Sequence, residues 1–252
     1  MSYVMTRVRR RMDLALIAMV AWAVPTGIWS CSARADYLHF SSLNMTPIRI
    51  SLVHEVIGKA NFPELVVPRA YIYYVSGYLP GQGPLPSLLS SKDVWLMFVD
   101  GTGEAWTVAV AERARRDGID STTARHRMRA EETTVQIGPS SVPTAAYADA
   151  MRADVTRSAP HRQDDSFEGL AHYRGVSSFS YYAGGSDDEF FSARCPGPPL
   201  NPVFQCNYSM SITEGIVAHV SFVDFRLYGG RAYANRRLRF VREVVCRYLT
   251  RC

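Results

Sequence analysis

Two runs near the C-terminus, PVFQCNYSMSI (Pro202–Ile212) and IVAHVSFVDFRLY (Ile216–Tyr228), decide the fold. Both are rich in aromatic and β-branched residues with alternating polarity, and Glu214-Gly215 stands between them where a turn is needed. They predict an antiparallel hairpin. After Gly229-Gly230 the period changes. In RAYANRRLRFVREVVCRYL (Arg231–Leu249), Leu238, Val241, Val245, Tyr248 and Leu249 fall on one side of a helix. The combination predicts an α+β fold, mainly antiparallel sheet with a C-terminal helix packed on it.

Upstream, His172–Tyr182 reads as a further strand, Lys92–Val99 as a strand covered on both faces, and Pro47–Val53 as one buried on a single face. His54–Lys59 and Phe62–Tyr74 read as strands about a turn at Gly58 to Asn61. Gly77–Pro86, with three Gly and three Pro, is a loop, and Asp100-Gly-Thr-Gly103 a turn. Glu112–Glu132 is crowded with Arg, broken by Gly118, and has no apolar stripe of either period, so it reads as a solvated connection. A short strand at Thr133–Ile137, a helix at Thr144–Arg157 after Pro143 and a loop at Ser158–Phe167 follow. Residues 112–167 are thus expected as a loose insertion in a single α+β domain spanning 36–252.

The first 35 residues read as an export signal. Arg7, Arg9, Arg10 and Arg11 precede an apolar run from Leu14 to Val24, and Ala33-Arg34-Ala35 has the small-x-small form of a cleavage site. The run is shorter than the roughly 18 residues a membrane span needs, so no transmembrane helix is expected in the mature chain. Ile28-Trp29-Ser30-Cys31 outlines a lipoprotein box, although Trp29 fits badly where a small residue is usual. Membrane attachment would follow only from lipidation of Cys31. A periplasmic location is expected.

Removing that segment changes the electrostatics. The chain has 28 basic and 23 acidic residues, but residues 1–35 hold five Arg and one Asp, leaving 23 against 22. Bulk charge therefore gives no reason to expect a nucleic-acid partner. The remaining cysteines are Cys195, Cys206, Cys246 and Cys252, an even number in an exported chain. The Pro- and Gly-rich stretch after Cys195 can turn the chain back, which favours a Cys195–Cys206 bridge. Cys246 and Cys252 can pair only if the last helix unwinds first, because a six-residue helical offset separates the side chains.

No catalytic signature is present. The six histidines lack the short spacing of a metal pair, there is no Cys-x-x-Cys, and neither a Gly-x-Ser-x-Gly elbow nor a phosphate- or dinucleotide-binding glycine loop occurs. No metal, cofactor or catalytic residue is predicted. A hydrolase could still assemble carboxylates such as Glu104, Asp165 or Glu168 in space. An envelope protein could bind a small ligand or glycan through Tyr71, Tyr73, Tyr74, Tyr181 and Tyr182. The Arg-rich last helix reads as a solvated face rather than a membrane-binding one.

Several separated segments together resemble a family. Gly58-Lys-Ala-Asn-Phe62 leading to Val67-Pro68-Arg69-Ala70-Tyr71-Ile72, and Gly169-Leu170-Ala-His-Tyr173-Arg174, are similar in order to elements of periplasmic immunity-type proteins that accompany bacterial type VI secretion effectors. The tryptophan expected near the start of the last helix is absent, with Tyr233 or Leu238 in its region. The resemblance implies a protein that binds and neutralises a cognate secreted effector without turnover. The surface expected for that work is the loop Gly77–Pro86 together with Tyr181, Tyr182 and the acidic tip Asp187, Asp188 and Glu189.

Overall fold

The computed structural model describes residues 42–54, 63–79, 83–175, 178–186, 190–197 and 204–252. The export segment with Cys31, the acids Asp187, Asp188 and Glu189, and all of the expected strand His54–Lys59 except His54 lie outside the described residues. In chain order the elements are β1 (Pro47–Leu52), β2 (Glu64–Pro68), β3 (Ile72–Val75), β4 (Leu88–Ser91), β5 (Val94–Val99), α1 (Trp106–Asp117), α2 (Ser121–Met128), β6 (Glu132–Pro139), α3 (Tyr147–Ser158), β7 (His161–Phe167), β8 (Leu170–Arg174), β9 (Phe179–Gly184), β10 (Phe191–Pro196), β11 (Gln205–Thr213), β12 (Ile216–Val223) and α4 (Gly230–Cys246).

The expected hairpin is β11–β12, turning at Glu214-Gly215 with Gly215 at positive φ. It sits in a nine-stranded antiparallel sheet ordered β3-β5-β6-β12-β11-β10-β9-β8-β7. A second sheet, β2-β1-β4, pairs β1 antiparallel to β2 and parallel to β4. The main core lies between the inner faces of these sheets and α4. It joins Ile48, Ile50 and Leu65 to Leu96, Phe98, Val135, Val220 and Phe222. The helix contributes Ala234, Val241, Val244 and Val245, at the spacing of one helical face. No described helix is long and apolar enough to cross a membrane.

The stripe of α4 contains one charged residue. Arg237 is 2 % exposed and lies over the Phe222 ring at 4.5 Å. It donates to Thr133 Oγ1 at 2.6 Å and Tyr233 Oη at 2.6 Å. The Asp100 carboxylate stands 3.1 Å from Nε, close enough to pair but without hydrogen-bond alignment. The solvated-face reading therefore fails for this one arginine. Its charge is tolerated because acceptors from β6 and the Asp100 turn surround it.

Residues 112–167 are not a loose insertion. They supply β6, which lies between β5 and β12 and buries Thr133, Val135 and Ile137. The expected solvated connection forms α1 and α2. Helix α1 starts at Trp106, so the apolar first turns with Trp106, Ala109 and Val110 precede the Arg-rich part, and a second cluster gathers these with Val99, Ala124 and Met128. The expected loop before Phe167 is largely β7, an edge strand without apolar alternation. His172–Tyr182 is split between β8 and β9.

Both disulfides form, Cys195–Cys206 between β10 and β11 and Cys246–Cys252 from the last residue of α4 to the C-terminal residue. The last helix does unwind at Cys246, as the second bridge requires. The freed segment then pairs with β2 through Val66 N–H to Tyr248 O and Thr250 N–H to Glu64 O, both near 3 Å.

Candidate functional site

Strand alternation separates the expected binding tyrosines. Tyr182 faces the core, 7 % exposed, where its hydroxyl accepts from Arg226 at 2.9 Å and its ring stacks on His172. It cannot touch a partner, so that part of the expected surface is corrected. Tyr181, on the opposite face, lies along an open groove. Tyr71 is buried, its hydroxyl donating to Gly103 O at 2.9 Å, while Tyr73 and Tyr74 both pack against Trp95 because the β3 register shifts between Ile72 and Tyr74.

Two of the carboxylates considered for a hydrolase, Glu168 and Asp165, are engaged separately. Glu168 and Gly169, both at positive φ, form the two-residue turn between β7 and β8. That turn carries the Glu168 carboxylate to the start of α4, where it accepts from Arg231 N–H at 2.5 Å. Asp165 on β7 accepts from His172 Nδ1 at 2.8 Å, and His172 Nε2 is 3.0 Å from Ser180 Oγ. This relay has the order of a serine-nucleophile triad. Its serine is nevertheless only 9 % exposed, inside a strand paired on both sides to Arg174 and Cys195. A nucleophile needs approach space and backbone N–H groups turned toward an oxyanion; here ladder pairing occupies both flanks. What the relay does is pin the β7–β8 hairpin to β9.

Cys195, Cys206 and Asp224 also converge. The two sulfurs are bonded to each other, and Asp224 is taken by Arg226, so the trio is not a ligand set.

Two further surfaces have a defined make-up. One is the outer face of the small sheet. The registers Pro47 to Pro68, Arg49 to Val66 and Arg49 to Leu88 align the outward residues of β1, β2 and β4. Val66 and Leu88 are exposed there, Leu88 at 64 %, and Met45, in the irregular chain that leads into β1, is also exposed. Leu79 and Pro86, in the expected loop Gly77–Pro86, are exposed as well. The doublets Val66-Val67 and Leu88-Leu89 carry the signal for this face, since a strand buried on one side can hide only one residue of each pair.

The other surface is the open face of the large sheet beside α3. Register fixes two rows of neighbours across it. One runs Trp95, Gln136, His219, Ser209; the other runs Thr134, Ser221, Asn207, Arg194, Tyr181. Six strands at ~4.8 Å spacing make this floor roughly 24 Å wide. Met151, Asp154, Val155 and Ser158 of α3 form a wall, enclosing a groove of about 350 Å³. Ser209 Oγ meets His219 Nδ1 at 2.9 Å, Ser221 Oγ donates to Asn207 Oδ1 at 2.5 Å, and Arg194 stacks on Phe179 at 4.0 Å. Crowding by the groove lowers the His219 pKa, against the smaller opposing pull of Asp154 and Asp93, although solvent still reaches the ring. These positions are the polar alternates of strands whose apolar alternates build the core. No protein-family model, curated protein or solved structure matches the chain.

Proposed function

We propose that the chain is an exported immunity-type protein that binds a cognate secreted effector and neutralises it by occlusion. The observation that carries this reading is the outer face of the small sheet, where Val66 and Leu88 stand in solvent on either side of Arg49. With the Arg49–Glu64 pair they give the mixture of apolar and polar groups found in protein interfaces. Two disulfides support an oxidising compartment. The relay at Ser180, held within paired strands, favours binding over turnover.

The test is periplasmic co-expression with each secreted protein encoded beside this gene that is toxic on its own. Wild type is expected to restore growth against one of them. Leu88→Asp with Val66→Asp, both outward-facing, should keep the thermal midpoint yet weaken binding by about 2 kcal/mol or more, roughly thirtyfold. Failure to neutralise any of these proteins, or full protection by the double variant, refutes the proposal.

A further inference from the structure

We infer that the groove between α3 and the open face of the large sheet is a saccharide-binding site, separate from the partner face. Its floor sets two carboxamides, Gln136 and Asn207, among the hydroxyls of Thr134, Ser209 and Ser221. Such groups both donate and accept, as do the hydroxyls of a sugar ring. A phosphate or other anion would call for donors alone and a cation for acceptors alone. Here one Arg194 and one Asp154 stand on different sides of the same groove, so neither sign of charge dominates.

The aromatic residues complete the pattern. Trp95 ends one row and Tyr181 the other, offering flat apolar surfaces against which the C–H faces of a pyranose can lie. Both are held before any ligand arrives. Trp95 Nε1 donates to Asp93 Oδ1 at 3.0 Å, with Ser76 Oγ bonding the other oxygen at 2.8 Å. Arg194 lies 6.0 Å from the Tyr181 ring centre. With Nδ1 of His219 engaged by Ser209, the other ring nitrogen carries no protein hydrogen bond among the described residues. The volume of about 350 Å³ falls at the small end of ligand sites, and the roughly 24 Å floor extends it into a trough for a short oligosaccharide.

The experiment titrates the oxidised mature protein with tri- and tetrasaccharides of N-acetylglucosamine, glucose, mannose and galactose, followed by saturation-transfer NMR and calorimetry. At least one should bind saturably, and Trp95→Ala or Tyr181→Ala should weaken it about tenfold, the loss of one aromatic platform. Asn207→Ala, at an exposed floor position, repeats the test without touching an aromatic. The Leu88→Asp, Val66→Asp variant should bind sugar as wild type does, so this inference and the partner reading fail separately. No saturable binding across the panel, or binding indifferent to all three groove variants, overturns the saccharide site. So does retention in the groove of a peptide in preference to every sugar.

Discussion

Replacing Gly230 by alanine tests how α4 is started. Gly230 has φ +68°, and a Cβ built on it would fall within the Glu168 carboxyl group. An L residue in the left-handed region costs about 1–2 kcal/mol. Displacing Glu168 also removes its bond to Arg231 N–H and its favourable position at the positive end of the helix. Because Glu168 is solvent-exposed, that loss belongs near the low end, about 1 kcal/mol. The sum is about 2–3 kcal/mol, or roughly 5–10 °C in thermal midpoint for a domain of this size. The assay is urea denaturation of the oxidised protein, with Glu168→Ala and the double variant alongside. Once the added methyl has displaced the carboxylate, removing that carboxylate should cost nothing further. Glu168→Ala should therefore cost about 1 kcal/mol in the wild-type background and close to zero beside Gly230→Ala. Additive costs would refute the proposed conflict between the methyl and the carboxylate.

Three further outcomes are expected. Opening the Cys195–Cys206 bridge with paired serines should cost about 3 kcal/mol, and opening Cys246–Cys252 about 2, following the loop-closure entropy of separations of 11 and 6 residues; equal midpoints for the two variants in urea would contradict this ordering. His172→Ala removes the bonds to Asp165 and Ser180 and the stack on Tyr182. It should cost about 1–2 kcal/mol and speed amide exchange in β7 and β8 while leaving β5 and β6 protected, and uniform acceleration would show a different role. His219, with its pKa lowered in the fold, leaves the unfolded chain binding more protons just below about pH 6.5. Stability should therefore be lost as pH falls from that value toward the lowered pKa. Glu132, whose pKa burial raises, acts oppositely as pH climbs from its ordinary value, so the check is wild type against His219→Gln between pH 7.5 and 5. Identical profiles would remove His219 from the account.

Period and punctuation made much of the fold legible. The β11–β12 hairpin, the final helix and β1 follow from alternation or helical spacing, and Glu214-Gly215 and Gly229-Gly230 mark their ends. The expected covering of β5 on both faces is not found, since its burial alternates and Trp95 lies on the open face. The errors share a cause. Helix α1 was hidden because Trp106, Ala109 and Val110 precede the Arg-rich stretch, within which Ala114 alone is buried and gives little apolar contrast beside Arg113, Arg115 and Arg116. Strand β7 was hidden because HRQDDSF has no buried alternate at all, and it becomes a strand through pairing with β8 rather than through preference. Tyr181 and Tyr182 show the limit for sites. Adjacent residues in a strand point to opposite faces, so a single surface made of both is inconsistent with the strand reading itself. The His172 relay and the groove rows join residues from different strands, and their neighbourhood is set by register, which alternation alone leaves open.

The outward Val66 and Leu88 bear on the proposed function because the core does not need them. Ile48, Ile50, Leu65, Val67 and Leu89 already fill the inner side of the small sheet. The outward alternates could be Thr or Lys with the same register and the same buried surface, and Arg49, between Val66 and Leu88, is such a residue. Isolated exposed apolar residues need no explanation. Here Val66 and Leu88 share one face on either side of Arg49, and an uncovered face that carries such residues invites association with a complementary surface. Contact with the proposed partner would account for Val and Leu at positions where polar residues would fold as well. The double variant Leu88→Asp, Val66→Asp should accordingly match or exceed wild type in solubility and stability while losing its partner. A variant that unfolds would mean that these side chains are needed by the fold, and the functional reading of the face would fall with it.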